Sequence, residues 1–375
     1  MYNNTYILPI HIISDKMTLG KLASILLICL MMCAGFAGCI SGEKEAAPDN
    51  GTKPVENNEP RLYDPETGIV NPDYLKNVSE DDMENTTIDI DDNNTGLFSR
   101  PGPKAVLIVG GAGKDSNNAR YWNEMVWMWD ILVLKYNYSV YNIATLYANG
   151  KCPDEDNVPD SGAIVPHINV ITCPAKKKNL SEICTLLALK IKPDEQLFVW
   201  SSDHGTNGKV DATIPPTASP ANAALCLWGE NIDDDEFAGP DHFGKVKNYS
   251  KRIFAMEQCL SGGFIDDLSA EKTIIMTACT DLVFSWGGAG SGGYPYDVWC
   301  FLFQAALNGA FPDGTKLDAD SNKDGKISMK EAFDYAFNSD MMDYPTAAEI
   351  PQLDDNGNKI GNDPQDGAMA AETFL

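Results

Sequence analysis

The feature that most constrains this chain is a pair of short runs, residues 198–205 (FVWSSDHG) and 253–263 (IFAMEQCLSGG). Each is an apolar stretch of strand length ending in small residues that can turn sharply. Each turn carries one reactive side chain, His204 in the first and Cys259 in the second. Adjacent strands of a parallel sheet bring their carboxyl ends to one edge, and a thiol near neutral pH needs a base beside it to act as a nucleophile. The two runs are therefore expected to form a Cys–His hydrolase dyad.

The remaining pattern fits an α/β fold. A buried strand is expected from Lys104 into Gly110-Gly111, then a helix from about Arg120 to Tyr136 with Trp122, Val126, Trp129 and Val133 at helical spacing. Further strands are expected at 139–146, 197–201, 252–256 and 273–277, with helices at 180–190 and 296–307. Strands alternating with helices predict a mainly parallel, doubly wound sheet whose ligands sit at the carboxyl ends of the strands. The glycine run 110–113 before Lys114 lacks the spacing of a phosphate loop. The net charge of −26 argues against nucleic acid as a partner, because binding phosphates needs clustered Lys and Arg.

The N-terminus reads as an export signal over residues 1–38, with Met17 as the alternative start. Lys16 and Lys21 precede an apolar run from Leu22 to Met32 that is short for a bilayer span. Ala37-Gly38-Cys39 resembles a lipoprotein cleavage box, which would make Cys39 the lipidated first residue; a plain cleaved signal or an uncleaved anchor is the alternative. Residues 39–100 are rich in Asp, Glu, Asn and Pro without hydrophobic period, and are expected to be a flexible tether or an inhibitory pro-segment. This predicts an exported protein held at the outer face of the membrane. Of the ten cysteines, Cys152, Cys173, Cys184, Cys226, Cys279 and Cys300 remain as disulfide partners or as buried small hydrophobes.

The two motif runs resemble the legumain-like peptidases of the caspase-hemoglobinase clan, in which one strand ends in Asp-His-Gly and a later one in Cys before small residues. Residues 109–120, 277–280 with Ser285, and Tyr296-Asp297-Val298-Trp299 agree in order, and the resemblance spans about 104–345. It implies an α/β/α sandwich over 101–345 and a cysteine endopeptidase acting on protein or peptide substrates, with no cofactor in catalysis. Cys259 would attack the scissile carbonyl, His204 would carry protons, and the amides of Gly205 and Cys259 would hold the oxyanion. No third orienting residue is expected. The resemblance further implies a primary pocket from Arg120, Glu257, Ser285 and Asp297 that reads Asn, or Asp at low pH. Gln258, Leu260 and Tyr121 depart from the family pattern, and an ordinary surface ion pair is the other reading of Arg120 and Asp297. A transpeptidase using the same acyl-enzyme, or a calcium-stabilised binding protein on a retired peptidase fold, are the competing functions.

A second feature stands apart. Residues 320–331 satisfy the twelve-residue EF-hand loop, so Asp320, Asn322, Asp324, the Lys326 carbonyl, Ser328 and Glu331 would surround a structural Ca²⁺, with Gly325 making the turn. A solvated acidic turn is the alternative. Asp354-Asp355-Asn356-Gly357 lacks the register for a second copy. Residues 346–375 are expected to be an irregular tail or a last edge strand.

Overall fold

The computed structural model describes residues 96–151, 170–208, 222–291, 294–343 and 349–375. All lie in the larger of two compact units, Glu59–Leu375. The export signal, Cys39, the acidic segment to residue 95 and Cys152 lie outside the described residues.

In chain order the strands are β1 (Lys104–Val109), β2 (Ile143–Tyr147), β3 (Leu197–Ser202), β4 (Gly205–Asn207), β5 (Ala223–Leu227), β6 (Glu230–Asp233), β7 (Arg252–Met256), β8 (Thr273–Thr277), β9 (Gly287–Ser291), β10 (Tyr294–Asp297) and β11 (Gln352–Asp354). The central sheet has the order β11-β8-β7-β3-β1-β2. Its pairs are parallel except β11, which runs antiparallel to β8. A small antiparallel sheet, β4-β5-β6, and the β9–β10 hairpin complete the set. The main helices are α1 (Ala119–Asp130), α2 (Lys177–Lys190), α3 (Val298–Asn308) and α4 (Met329–Asp343).

Strand alternation sends successive side chains to opposite faces, and both faces here are covered. Leu107, Trp200, Ala255 and Met276 pack with Met125 and Trp129 of α1 and Trp299 and Phe303 of α3. Val106, Val199, Phe254 and Ile275 pack on the other face with Leu180, Ile183 and Leu187 of α2. The result is an α/β/α sandwich with a mainly parallel sheet.

Two elements differ from their expected form for local reasons. The first helix ends as an α-helix at Asp130 and continues as a π turn over Ile131–Lys135, with the Tyr136 amide reaching the Ile131 carbonyl at 3.2 Å. Along it Ile131 and Leu132 are buried and Leu134 is exposed. The strand expected from Ser139 begins at Ile143, because Val140–Asn142 form a 3₁₀ turn. There the Asn142 side chain accepts from the Arg100 amide at 3.3 Å, a local bond that competes with the ladder.

Of the two forms expected for residues 346–375, the last edge strand is the one found, and the chain returns to the sheet. β11 adds an edge, and the buried Asp355 carboxylate accepts from the amides of Gly367 (2.8 Å) and Ala370 (2.7 Å). The Met329 amide at the start of α4 donates to the Thr373 carbonyl at 2.8 Å. Cys173, Cys184, Cys226, Cys279 and Cys300 are buried free thiols, so among the described residues the small-hydrophobe reading holds for these five. Ending the chain at residue 348 removes β11 and bares the β8 edge. Such a truncation is expected to lower the calorimetric melting temperature and to promote aggregation on size exclusion; an unchanged melting temperature would contradict the role given to the tail.

Candidate active site

β3 and β7 are neighbours in the sheet, with Ser201 opposite Met256 at the last paired position. His204 and Cys259 each stand three residues beyond that pair, so register alone delivers them to the same edge. Gly205 lets the two turns touch. A Cβ built there would lie 1.9 Å from the Cys259 carbonyl oxygen and 3.1 Å from its amide nitrogen. Only a hydrogen fits. On the other side the Cys226 amide donates to the His204 carbonyl at 3.0 Å.

Both turns hold non-glycine residues in backbone conformations that L side chains rarely adopt, Asp203 at φ 127° and Leu260 at φ 61°. Each has a local clamp. Asp203 Oδ1 accepts from the His204 amide at 2.5 Å, and the Leu260 amide donates to the Val283 carbonyl at 3.1 Å. Gln258 is buried and accepts from the Ser201 hydroxyl at 2.8 Å, tying the Cys259 turn back to β3. Cys259 is half-buried, whereas the other described cysteines are buried. Its Sγ lies 3.6 Å from both the carbonyl oxygen and the hydroxyl of Ser285, donating to the first and accepting from the second.

The imidazole of His204 is oriented after all. Its Nε2 lies 3.2 Å from the Ser116 carbonyl oxygen and 3.3 Å from the Tyr121 hydroxyl. A carbonyl can only accept, so Nε2 carries the proton and Nδ1 keeps the lone pair that can take one from a thiol. Burial lowers the ring's pKa from its ordinary 6.5; the Ser116 carbonyl opposes this and the Arg120 charge reinforces it. The ring is therefore neutral, and competent as a base, into mildly acidic solution. Neither orienting group was named from sequence. A backbone carbonyl carries no residue-type signal, and Tyr121 stood out only as a departure from the family pattern.

Arg120 and Asp297 are in direct contact, Nε to Oδ1 at 2.6 Å, with Asp297 95% buried on its side chain. This is not an ordinary surface pair. Gly287 lies against the guanidinium, where a Cβ would meet Cζ at 3.1 Å. Behind the pair, Glu124 accepts from the Asp297 amide at 2.6 Å and from the Ser202 hydroxyl at 2.5 Å. Glu257 is fully buried with neither carboxyl oxygen paired among the described residues. Burial, reinforced by the charges of Glu349, Asp297 and Glu124, pushes its carboxyl well above the ordinary range, so it is held protonated. Glu349 accepts from the amides of Trp286 and Trp299, the latter at 3.1 Å. Of the four expected pocket residues, then, Arg120 and Asp297 meet, Ser285 lies against Cys259 Sγ, and Glu257 lies within the electrostatic reach of Asp297. Glu124 and Glu349 were missed. The first is one helical turn from Arg120 and was legible as a same-face partner; the second comes from the distant tail.

In the acidic loop, Gly325 has φ 86°. Asp320 accepts from the Gly325 amide (2.9 Å), Asn322 from the Asp324 amide (2.8 Å) and Asp324 from the Lys326 amide (2.9 Å). Glu331, in the first turn of α4, accepts from the amides of Ser321 (3.0 Å), Asn322 (3.1 Å) and Ser328 (3.0 Å). Among the described residues no group of three or more His, Cys, Asp or Glu is gathered closely enough to hold a metal ion. The donor set is nonetheless all oxygen, and the glycine turn is the one the motif requires.

Because the Gly205 hydrogen faces the Cys259 backbone, Gly205→Ala is expected to displace the nucleophile by about 1 Å and slow its alkylation by a peptidyl electrophile roughly 10²-fold. The melting temperature, measured alongside, should fall far less steeply than the rate. Equal alkylation rates would show that the contact does not position the thiol.

The family model of the Peptidase C13 family matches residues 167–301, a span that includes both His204 and Cys259. No curated protein shows a significant match. Among solved structures, a crystal structure of a protein from Geobacter sulfurreducens aligns at a TM-score of 0.42 and 12% identity, covering 68% of this chain and 93% of that one. At the level of the family, the C13 match supports an enzyme of the cysteine peptidase or transamidase type, similar to legumain.

Proposed function

We propose that the protein is a cysteine endopeptidase working through Cys259 and His204. The observation that carries this reading is the shared register of the two turns with His204 Nε2 3.2 Å from the Ser116 carbonyl oxygen, an arrangement in which Nε2 donates and Nδ1 accepts. His204 takes the Cys259 proton as Sγ attacks the scissile carbonyl, and the amides of Gly205 and Cys259 stabilise the oxyanion. Collapse of the tetrahedral species expels the amine, which receives the proton from His204, and water then releases the acid from the thioester. Arg120, held by Asp297, offers donors to the side-chain oxygen of an Asn, while neighbouring acidic groups accept from its nitrogen. An ionised Asp would meet Asp297 across a poorly solvated pocket. Cleavage after Asp is accordingly confined to low pH. The domain acts outside the cell, tethered through lipidated Cys39.

Cys259→Ala is expected to abolish cleavage of a peptide library, and His204→Ala to reduce it by roughly 10²–10⁴. In the unsubstituted protein the acid limb of kcat/KM should lie below pH 6.5, since the folded imidazole's pKa is lowered and its neutral form persists to lower pH. The ratio of Asp to Asn cleavage should rise as the pH falls. Absence of both cleavage and selective labelling at Cys259 would favour a non-catalytic binding protein.

The oxygen donors of Asp320, Asn322, Asp324, Lys326, Ser328 and Glu331 support a Ca²⁺ site that braces the start of α4. Calcium is expected to raise the melting temperature of the wild type and to leave Glu331→Gln unchanged. Equal shifts in the two proteins would assign the effect elsewhere.

A further inference from the structure

Tyr121 sits in the first turn of α1, 1% exposed, with its ring in the core beside Met125. Its phenol oxygen lies 2.7 Å from Arg120 Nη2 and 3.3 Å from His204 Nε2. The guanidinium also lies over the same ring, Cζ to centroid 4.4 Å, and the imidazole meets the ring edge-on, 5.5 Å between centroids at 78°. Arg can only donate, and Nε2 carries its proton because the Ser116 carbonyl demands it. Two N–H groups therefore converge on the two lone pairs of one oxygen.

We infer that Tyr121 is a positioning residue that couples the Arg120 pocket to the basicity of His204. This rests on the reading of His204 as the base and Arg120 as the pocket donor. While Arg120 donates to the phenol oxygen, it withdraws density from the atom that also supports Nε2–H. When a substrate amide oxygen draws the guanidinium away, the phenol oxygen becomes the better acceptor. A hydrogen bond to imidazolium is stronger than one to neutral imidazole, so His204 holds a proton more readily once the pocket is filled. No bond is made or broken in this step; one proton is held more tightly at Nε2 while Nδ1 receives the thiol's.

The groups bearing on the imidazole are consistent with a single relay. From α1 come Arg120 and Tyr121; from the turn after β3, Asp203, whose Oδ1 is bound to the His204 amide. The turn after β7 brings Cys259 and β5 brings Cys226, both against the backbone of 204–205. Asp297 acts through Arg120. A phenylalanine at 121 would preserve the core contact and remove only the shared oxygen.

The test is a titration of His204 by NMR in the full chain, with ring-¹³C-labelled histidine in a Cys259→Ala background; the chain has 4 histidines, and a His204→Gln control assigns the signal. Tyr121→Phe should lower the His204 midpoint by roughly half a pH unit, the order of one lost hydrogen bond. Saturating acetyl-Ala-Ala-Asn-amide should raise the midpoint when Tyr121 is present and leave it unmoved in Tyr121→Phe. Arg120→Gln, which leaves the aromatic core intact, should raise it without peptide. An unchanged midpoint in either variant, or an equal peptide response with and without the phenol, overturns the coupling. Cleavage undiminished in His204→Ala would instead overturn the dyad itself, so the two failures are distinguishable.

Discussion

The site depends on one steric fact, the approach of two strand-ending turns so close that a methyl group cannot stand between them. The Gly205 α-carbon faces the backbone of Cys259. Beside that contact, Asp203 and Leu260 hold positive φ. Strain of about 1–3 kcal/mol at each such residue persists only where surrounding bonds over-determine the backbone. The clamps from the His204 amide to Asp203 and from the Leu260 amide to Val283 do this locally, while the parallel ladder of β3 and β7 does it globally.

A second economy governs the pocket. Glu124, Asp297 and Glu349 are buried within electrostatic reach of the buried Glu257, and Arg120 pairs with one of the four, Asp297. Four ionised carboxylates beside one cation would carry a desolvation cost far beyond what a single pair offsets. The structure resolves this by different means at different residues. Asp297 has the direct ion pair, yet burial still pushes its carboxyl upward against the pull of Arg120. Glu124 and Glu349 are bound by backbone amides. Glu257, with no such donors, is kept neutral by burial. A neutral acid can donate as well as accept.

The histidine illustrates how orientation can come from groups with no chemical reputation. A carbonyl in the loop after β1 fixes the tautomer, and the phenol of Tyr121 adds a second acceptor that a guanidinium also uses. The acceptors sit on one ring nitrogen.

Much of this was legible in the residues themselves. The strand runs ending in His204 and Cys259 pointed to the class of fold and to a shared sheet edge for the two side chains, which the register of β3 and β7 delivers. The limits of β7 and β8 and the burial of both sheet faces followed from the same alternation. Sequence could not reveal that the Ser116 carbonyl faces the imidazole, because every residue owns a carbonyl. It offered a last edge strand in residues 346–375 only as one of two forms, since a three-residue strand has too little pattern to stand above polar surroundings, and it gave no sign that Glu349 returns to bind the amides of Trp286 and Trp299. Nor could it decide between a surface ion pair and a buried one for Arg120 and Asp297. That depends on what packs around them, and packing is set by the tertiary structure, where residues 177 positions apart share one dielectric.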